Sequence, residues 1–189
     1  MCDGFSGAMK WSMEALGIQC LTISGDPADG DIGHAWNVIN LNGSYYRLDA
    51  TASVHDNWMV EAGIDEIVYS AFNVSDALNT KYAIRDFFGA FAPVPVCDSM
   101  EASYYARTGH FVPAGADPSG VLSRELGSLA ANGGGNAYIQ FERTEDYEAM
   151  CGDAGKQMIE DWLDNCGMHW SRYTRWSLNH NVFMVRVEW

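Results

Sequence analysis

Near the start of the chain, apolar residues recur at steps of three and four: Phe5, Ala8, Met9, Met13 and Leu16, with the small Ser12 among them. That spacing predicts an amphipathic helix, and Gly17 supplies the residue that ends it. Residues 18–24, "IQCLTIS", alternate as a strand does. The polar run "GDPADGDIG" carries strong turn signals and reads as a loop. "HAWNVINL", Asn42-Gly43 and "SYYRLD" then give the strongest short-range hairpin signal in the sequence.

Beyond the hairpin the pattern loses regularity. Residues 54–95 carry mixed signals and are expected to wrap around the core. Residues 119–131 read as a short helix closed by the glycines at 133–135, and "NAYIQF" reads as a strand. Residues 145–166 read as one longer helix, with Tyr147, Met150, Met158, Trp162 and Cys166 as inward positions. "NVFMVRVEW" is a closing strand. The composition shifts at residues 93–97, which places a boundary there: a core over 1–96 and a C-terminal α/β extension over 97–189, packed on the core. No internal repeat or low-complexity stretch interrupts the chain.

Length and composition narrow the class. The chain has 189 residues, enough for one domain or a core with a substantial appendage. At 48% hydrophobic and 19% charged it is globular, not disordered. Seven Trp, nine Tyr and eight Phe suit packing, and equally a groove that grips a peptide or sugar. A net charge of −14 argues against nucleic acid or an anionic membrane as a partner and is read as a solvated acidic surface. The five cysteines form no CxxC pair and are odd in number, so no disulfide framework is expected, although one bridge, Cys151 to Cys166, is allowed. No apolar run reaches the ~18 residues of a membrane span. The longest, "FFGAFAPVPVC", holds two prolines and reads as a core-lining loop.

Neither metal nor cofactor is called for. Asp26, Asp29 and Asp31 lack the spacing of a calcium loop, and Cys151, Cys166 and His169 lack the paired spacing of a zinc site. Asn73-Val74-Ser75 matches a glycosylation acceptor, a common chance match. "HWSRYTRW" alternates aromatic and basic residues, which suits a ligand contact or arginine stacked on aromatics.

The hairpin carries the candidate chemistry. A two-residue loop at Asn42-Gly43 pairs Leu41 with Ser44, and the same register sets His34 opposite Thr51 and Trp36 opposite Asp49. Paired residues share a face, so His34, Trp36, Val38, Tyr45, Arg47 and Asp49 lie on one side. Ala35, Ile39, Leu41, Tyr46, Leu48 and Ala50 lie on the other, the greasier one. His34 and Asp49 are then diagonal neighbours, ~7–8 Å apart by backbone and within side-chain reach. A carboxylate there accepts an imidazole N–H and fixes the tautomer. Cys2 stands at a helix start, where unpaired N–H groups and the helix dipole favour a thiolate. Beside an imidazolium, such a thiol titrates in the range ~3.5–7.5 instead of near ~8.5. The bland readings are a packed histidine, a strand-end aspartate and an idle terminal thiol.

"CDGFSGAMKWSMEALGIQCLTISG" followed by "GHAWNVINLNGSYYRLDAT" resembles the transglutaminase-like superfamily of papain-like cysteine enzymes, in its bacterial branch. The resemblance covers about residues 2–52: Cys at a helix start, His-Ala-Trp-Asn opening a strand, and an aromatic-rich strand ending in Asp. It implies an α+β fold with a papain-like core, in which the Cys-bearing helix packs on an antiparallel sheet. It implies Cys2 as nucleophile, His34 as general acid/base and Asp49 as the carboxylate that orients His34. Trp36 and Tyr45, on the same face, are candidates for lining a substrate groove, with simple packing as the alternative. The partner would be a peptide or protein substrate, with hydrolysis favoured over transfer and oligomeric state left open.

Members of the family carry helical segments before the cysteine and often continue past the aspartate with Thr-Trp-Asp, where this chain has Thr51-Ala52-Ser53. The chain is therefore expected to be a piece lacking the segment before Cys2. The compartment is left open, with a secreted or cell-surface setting, and any signal peptide upstream of Met1, as the favoured reading. Two other functions stay open: a peptide- or glycan-binding module that keeps the fold without catalysis, and an amidase whose N-terminal cysteine is exposed by removal of Met1.

Overall fold

The Asn42-Gly43 turn forms as the dipeptide predicts, both residues taking positive φ, 56° and 93°. It joins β2 (His34–Leu41) to β3 (Ser44–Leu48), paired from Leu41↔Ser44 to Asn37↔Leu48. This computed structural model describes residues 1–27, 33–53, 59, 64, 66–78, 82–87 and 93–189. Its architecture is α+β, divided into two compact units, Met1–Tyr104 and Tyr105–Trp189.

In the first unit, helix α1 (Cys2–Ala15) precedes a five-stranded antiparallel sheet. Strand β1 (Cys20–Pro27), β4 (Phe72–Val74) and β5 (Tyr82–Phe87) complete it, in the order β4-β3-β2-β1-β5. β1 runs further than residues 18–24 suggest. It continues through Gly25-Asp26-Pro27, past a register shift at Ser24/Gly25, because β5 gives it a second partner. Asp29 and Asp31 of the acidic turn, most of residues 54–65, and residues 88–92 of the "FFGAFAPVPVC" run lie outside the described residues.

β2 is the central strand, and residues 35–39 are all buried. On one face Cys20, Ile39, Tyr46 and Leu48 pack with Met9 and Met13 of α1. On the other, Ile23, Trp36, Val38 and Cys97 pack with Leu21, Tyr45 and Val94. A core therefore lies on both faces, not only on the greasier one. Asn73 and Ser75 of the glycosylation match are 7% and 5% exposed, and Asn73 Nδ2 donates to Ala102 O at 3.1 Å. A glycan has no room there.

The second unit begins with α2 (Tyr104–Thr108), whose first residue belongs to the first unit, and β6 (Phe111–Val112). Helix α3 (Ser119–Asn132) crosses to β7 (Gly134–Phe141), which lies parallel to β6. Gly133 closes α3 in the left-handed region at φ 77°. Strands β8 (Arg172–Leu178) and β9 (Val182–Glu188) finish an open sheet of order β6-β7-β9-β8.

The single helix expected over 145–166 is two, α4 (Thr144–Cys151) and α5 (Asp153–Asn165). Gly152 breaks it, with extended backbone at φ −82° and ψ −162°. The break changes the inward set. Met150, Ile159 and Leu163 are buried, while Tyr147, Met158 and Trp162 pack against the core only in part. Cys166 caps α5, its thiol directed to Leu163 O at 3.0 Å. All five cysteines are free thiols, so the allowed Cys151–Cys166 bridge is not formed.

Gly155 makes the break possible. A Cβ at this position would stand 1.9 Å from Met150 O and 2.6 Å from its carbonyl carbon. Both are backbone atoms that cannot swing aside. Gly155→Ala is expected to destabilise the second unit by about 3 kcal/mol, the upper end of ordinary overpacking costs. Urea unfolding followed by tryptophan fluorescence measures it, and an unchanged midpoint would show that α4 and α5 separate easily.

Candidate functional site

The site starts from how α1 is held. Its C-terminus closes with Gly17 N–H on Glu14 O (3.0 Å) and Ile18 N–H on Met13 O (2.9 Å). Gly17 takes φ 77°. This paired closure with a left-handed glycine is the stop the sequence predicts. The inward face differs from the prediction. Ser6 is buried and Met9 and Met13 are half-buried, whereas Phe5, Trp11 and Leu16 are exposed. Cys2 is four residues before Ser6, so it shares the sheet-facing side, and it is half-buried.

Asn37 fixes the helix on the sheet. This fully buried side chain sends its Nδ2 to Ser6 O at 3.0 Å, Leu21 O at 3.3 Å and Thr22 Oγ1 at 3.3 Å. One amide thus joins α1, β2 and β1. Further along, Lys10 Nζ donates to Cys20 O at 2.7 Å, and Cys20 pairs with Ile39. From Ser6 to Lys10 the helix therefore follows β2 from Asn37 towards Ile39. It runs in the same sense as β2, with its N-terminus at the His34 end. α1 also meets the 3-10 turn Thr51–Ser53 that follows Asp49.

At that end His34 and Asp49 are joined directly. Nε2 of His34 and Oδ2 of Asp49 are 2.5 Å apart, with both side chains largely buried. The other carboxylate oxygen, Oδ1, accepts Thr51 N–H at 2.9 Å and Ala52 N–H at 3.3 Å. Asp49 N–H donates to Ala71 O at 3.0 Å. The carboxylate is therefore held by backbone on one side and presents the other to the imidazole. Nε2 is thus the ring nitrogen that meets the carboxylate.

Trp36 is 1% exposed and sits within the apolar cluster, its ring stacked at 6.1 Å from that of His34. Arg47 lies over its ring, the guanidinium carbon 4.6 Å from the centroid. Tyr45 is half-buried and packs against the same cluster. Of the two groove candidates, Tyr45 is the one with surface to offer. Asn37 and Arg47 are the buried polar residues of this arrangement that the sequence does not single out. An amide and a guanidinium at buried positions of a central hairpin are the signal that would find them.

The other two thiols of this unit are chemically quiet. Burial pushes the Cys20 thiol up to about 11. Burial, aided by the Asp76 charge, pushes that of Cys97 up to about 12. Both stay protonated at neutral pH and are poor nucleophiles. Among the described residues no group of three or more His, Cys, Asp or Glu is placed to hold a metal ion, and no helix is long and apolar enough to cross a membrane.

No protein-family model matches the chain. It is 30% identical over 60 residues to the kyphoscoliosis peptidases of Mus musculus and Homo sapiens. That match covers 26% of this chain and only 9% of the length of each relative. The likeness is a partial one, to proteins named as peptidases.

Two expectations follow. Asn37→Ala leaves Ser6 O and Leu21 O without their donor and is expected to lower stability by roughly 2 kcal/mol, measured by urea unfolding. The buried thiols set an alkaline limit. Their folded values lie above the ordinary 9.0, so the fold holds protons that the unfolded chain releases. Their contribution is complete below pH 9 and is lost as pH rises towards 11–12, at up to ~1.4 kcal/mol per pH unit for each thiol. Unfolding measured from pH 8 to 11 should show this decline, and Cys97→Ala should flatten it.

Proposed function

We propose that the first unit performs thiol-based acyl transfer on amide bonds of peptides or proteins, with Cys2 as nucleophile, His34 as general acid/base and Asp49 as its orienting carboxylate. The observation that carries the reading is the His34–Asp49 pair, formed at the strand end towards which the Cys2 end of α1 points. The partial likeness to peptidases and the quiet chemistry of Cys20 and Cys97 support it.

In this reading the Cys2 thiolate attacks the amide carbonyl carbon, forming a C–S bond and moving the carbonyl electron pair onto oxygen. The first N–H groups of a helix have no intrahelical acceptors, and those of Cys2 and Asp3 stand beside the thiol to receive that charge. Collapse breaks the C–N bond, and His34 gives its Nδ1 proton to the leaving amine. Water, deprotonated by His34, then cleaves the thioester to acid and thiol. An amine in place of water gives transfer instead. Asp49 keeps the imidazole in the tautomer and orientation the steps need.

Site-resolved alkylation tests the proposal without knowledge of the substrate. With iodoacetamide at pH 6, Cys2 is expected to react well ahead of the other four cysteines. His34→Gln should reduce that rate to the level of an ordinary thiol. Asp49→Asn should lower turnover of any peptide substrate found by on the order of 10²–10⁴. A Cys2 that reacts at pH 6 no faster than a simple thiol would sink the catalytic reading and leave a binding module.

A further inference from the structure

We propose that Arg47 is a positioning residue for His34, acting through the ring of Trp36. The inference rests on the acid/base role given to His34 above. His34, Trp36 and Arg47 lie on one face of the hairpin, with the indole stacked on the imidazole and covered by the guanidinium. Arg47 cannot swing away. Its Nε donates to Asp76 Oδ1 at 2.5 Å. Asp76 in turn is pinned by Cys97, whose N–H reaches Oδ2 at 2.9 Å and whose carbonyl accepts Asp76 N–H at 2.7 Å.

A cation is an expensive way to fill this space. Arg47 is 5% exposed, and its Nη1 has no hydrogen-bond partner among the described residues. A methionine would cover the indole without the desolvation cost. What the guanidinium adds is a flat surface that sets the tilt of Trp36, and through it the plane of His34, together with a fixed positive charge. That charge is no farther than about 11 Å from the His34 ring. Asp76 balances that charge from the far side of the guanidinium, so removing either partner changes the field at the hairpin in opposite directions.

The ionisable groups that the structure joins to this arrangement are Asp49, bonded to His34, Arg47, over the Trp36 ring, and Asp76, bonded to Arg47. Changing only Arg47 or Asp76 leaves the others constant.

The test is NMR titration of the His34 ring, assigned with His34→Gln, in the unaltered chain, Arg47→Met and Asp76→Asn. Arg47→Met removes the cation, so the His34 midpoint should rise; Asp76→Asn leaves the cation uncompensated, so it should fall. Each shift should be roughly half to one pH unit for a unit charge at this range in a protein-like dielectric. A residue that merely filled space would not produce opposite signs. Shifts of one sign, or none beyond the fitting error, overturn the proposal. If Arg47→Met does not fold, Asp76→Asn decides alone: a fall supports the proposal and no change overturns it. A Cys2 that fails to alkylate sinks the catalytic reading whatever His34 does. A reactive Cys2 beside an unmoved His34 sinks only the role of Arg47.

Discussion

Strand β2 is buried on both faces, and its register is fixed by that double burial. Ala35, Asn37 and Ile39 face α1, while Trp36 and Val38 face the second apolar cluster. A slip of one residue would drive the Trp36 indole under the helix and leave the Asn37 amide among Ile23 and Cys97. Neither placement is tolerable. With β2 locked, the two-residue turn locks β3, and the first residue after β3 is Asp49. The meeting of His34 and Asp49 is thus a consequence of packing far along the same hairpin.

Three buried polar groups of the first unit tie the helix and the hairpin together. Ser6, Asn37 and Arg47 are buried, and each touches an element that leads to the His34 end of β2. Asn37 ties the helix, and Arg47 covers the indole that stacks on His34. Apolar residues would serve a core built for stability alone at lower cost. Local departures of this kind concentrate where geometry matters more than stability.

The hairpin was legible because its signals are local: a turn dipeptide that needs positive φ, and alternation on either side of it. The His34–Asp49 pair followed from the same short-range register. The inward face of α1 was not legible, since apolar residues line both sides of the helix. Phe5, Trp11 and Leu16 outweigh Ser6 in hydrophobicity, yet Ser6 faces the sheet because its carbonyl meets Asn37. β4 has only three residues, and β5 pairs with β1 from about sixty positions away, so neither leaves a local trace. The break at Gly152 was hidden by a helical period that continues on both sides of it. Its cause is the close approach at Gly155, a contact that no periodicity encodes.

Asp49 shows how the fold turns these constraints into a fixed carboxylate orientation. A carboxylate with both oxygens in water can rotate and share its charge among many donors. Here Oδ1 is committed to two backbone N–H groups of the turn that follows it, so the carboxylate plane is set by main chain. Only Oδ2 is offered to His34, and it takes Nε2. The imidazole therefore meets the carboxylate through Nε2, in an orientation that the main chain helps to set. The helix that carries Cys2 is tied to the same strand three residues further on, through Asn37. His34 and the helix that begins at Cys2 are thus both referenced to strand β2.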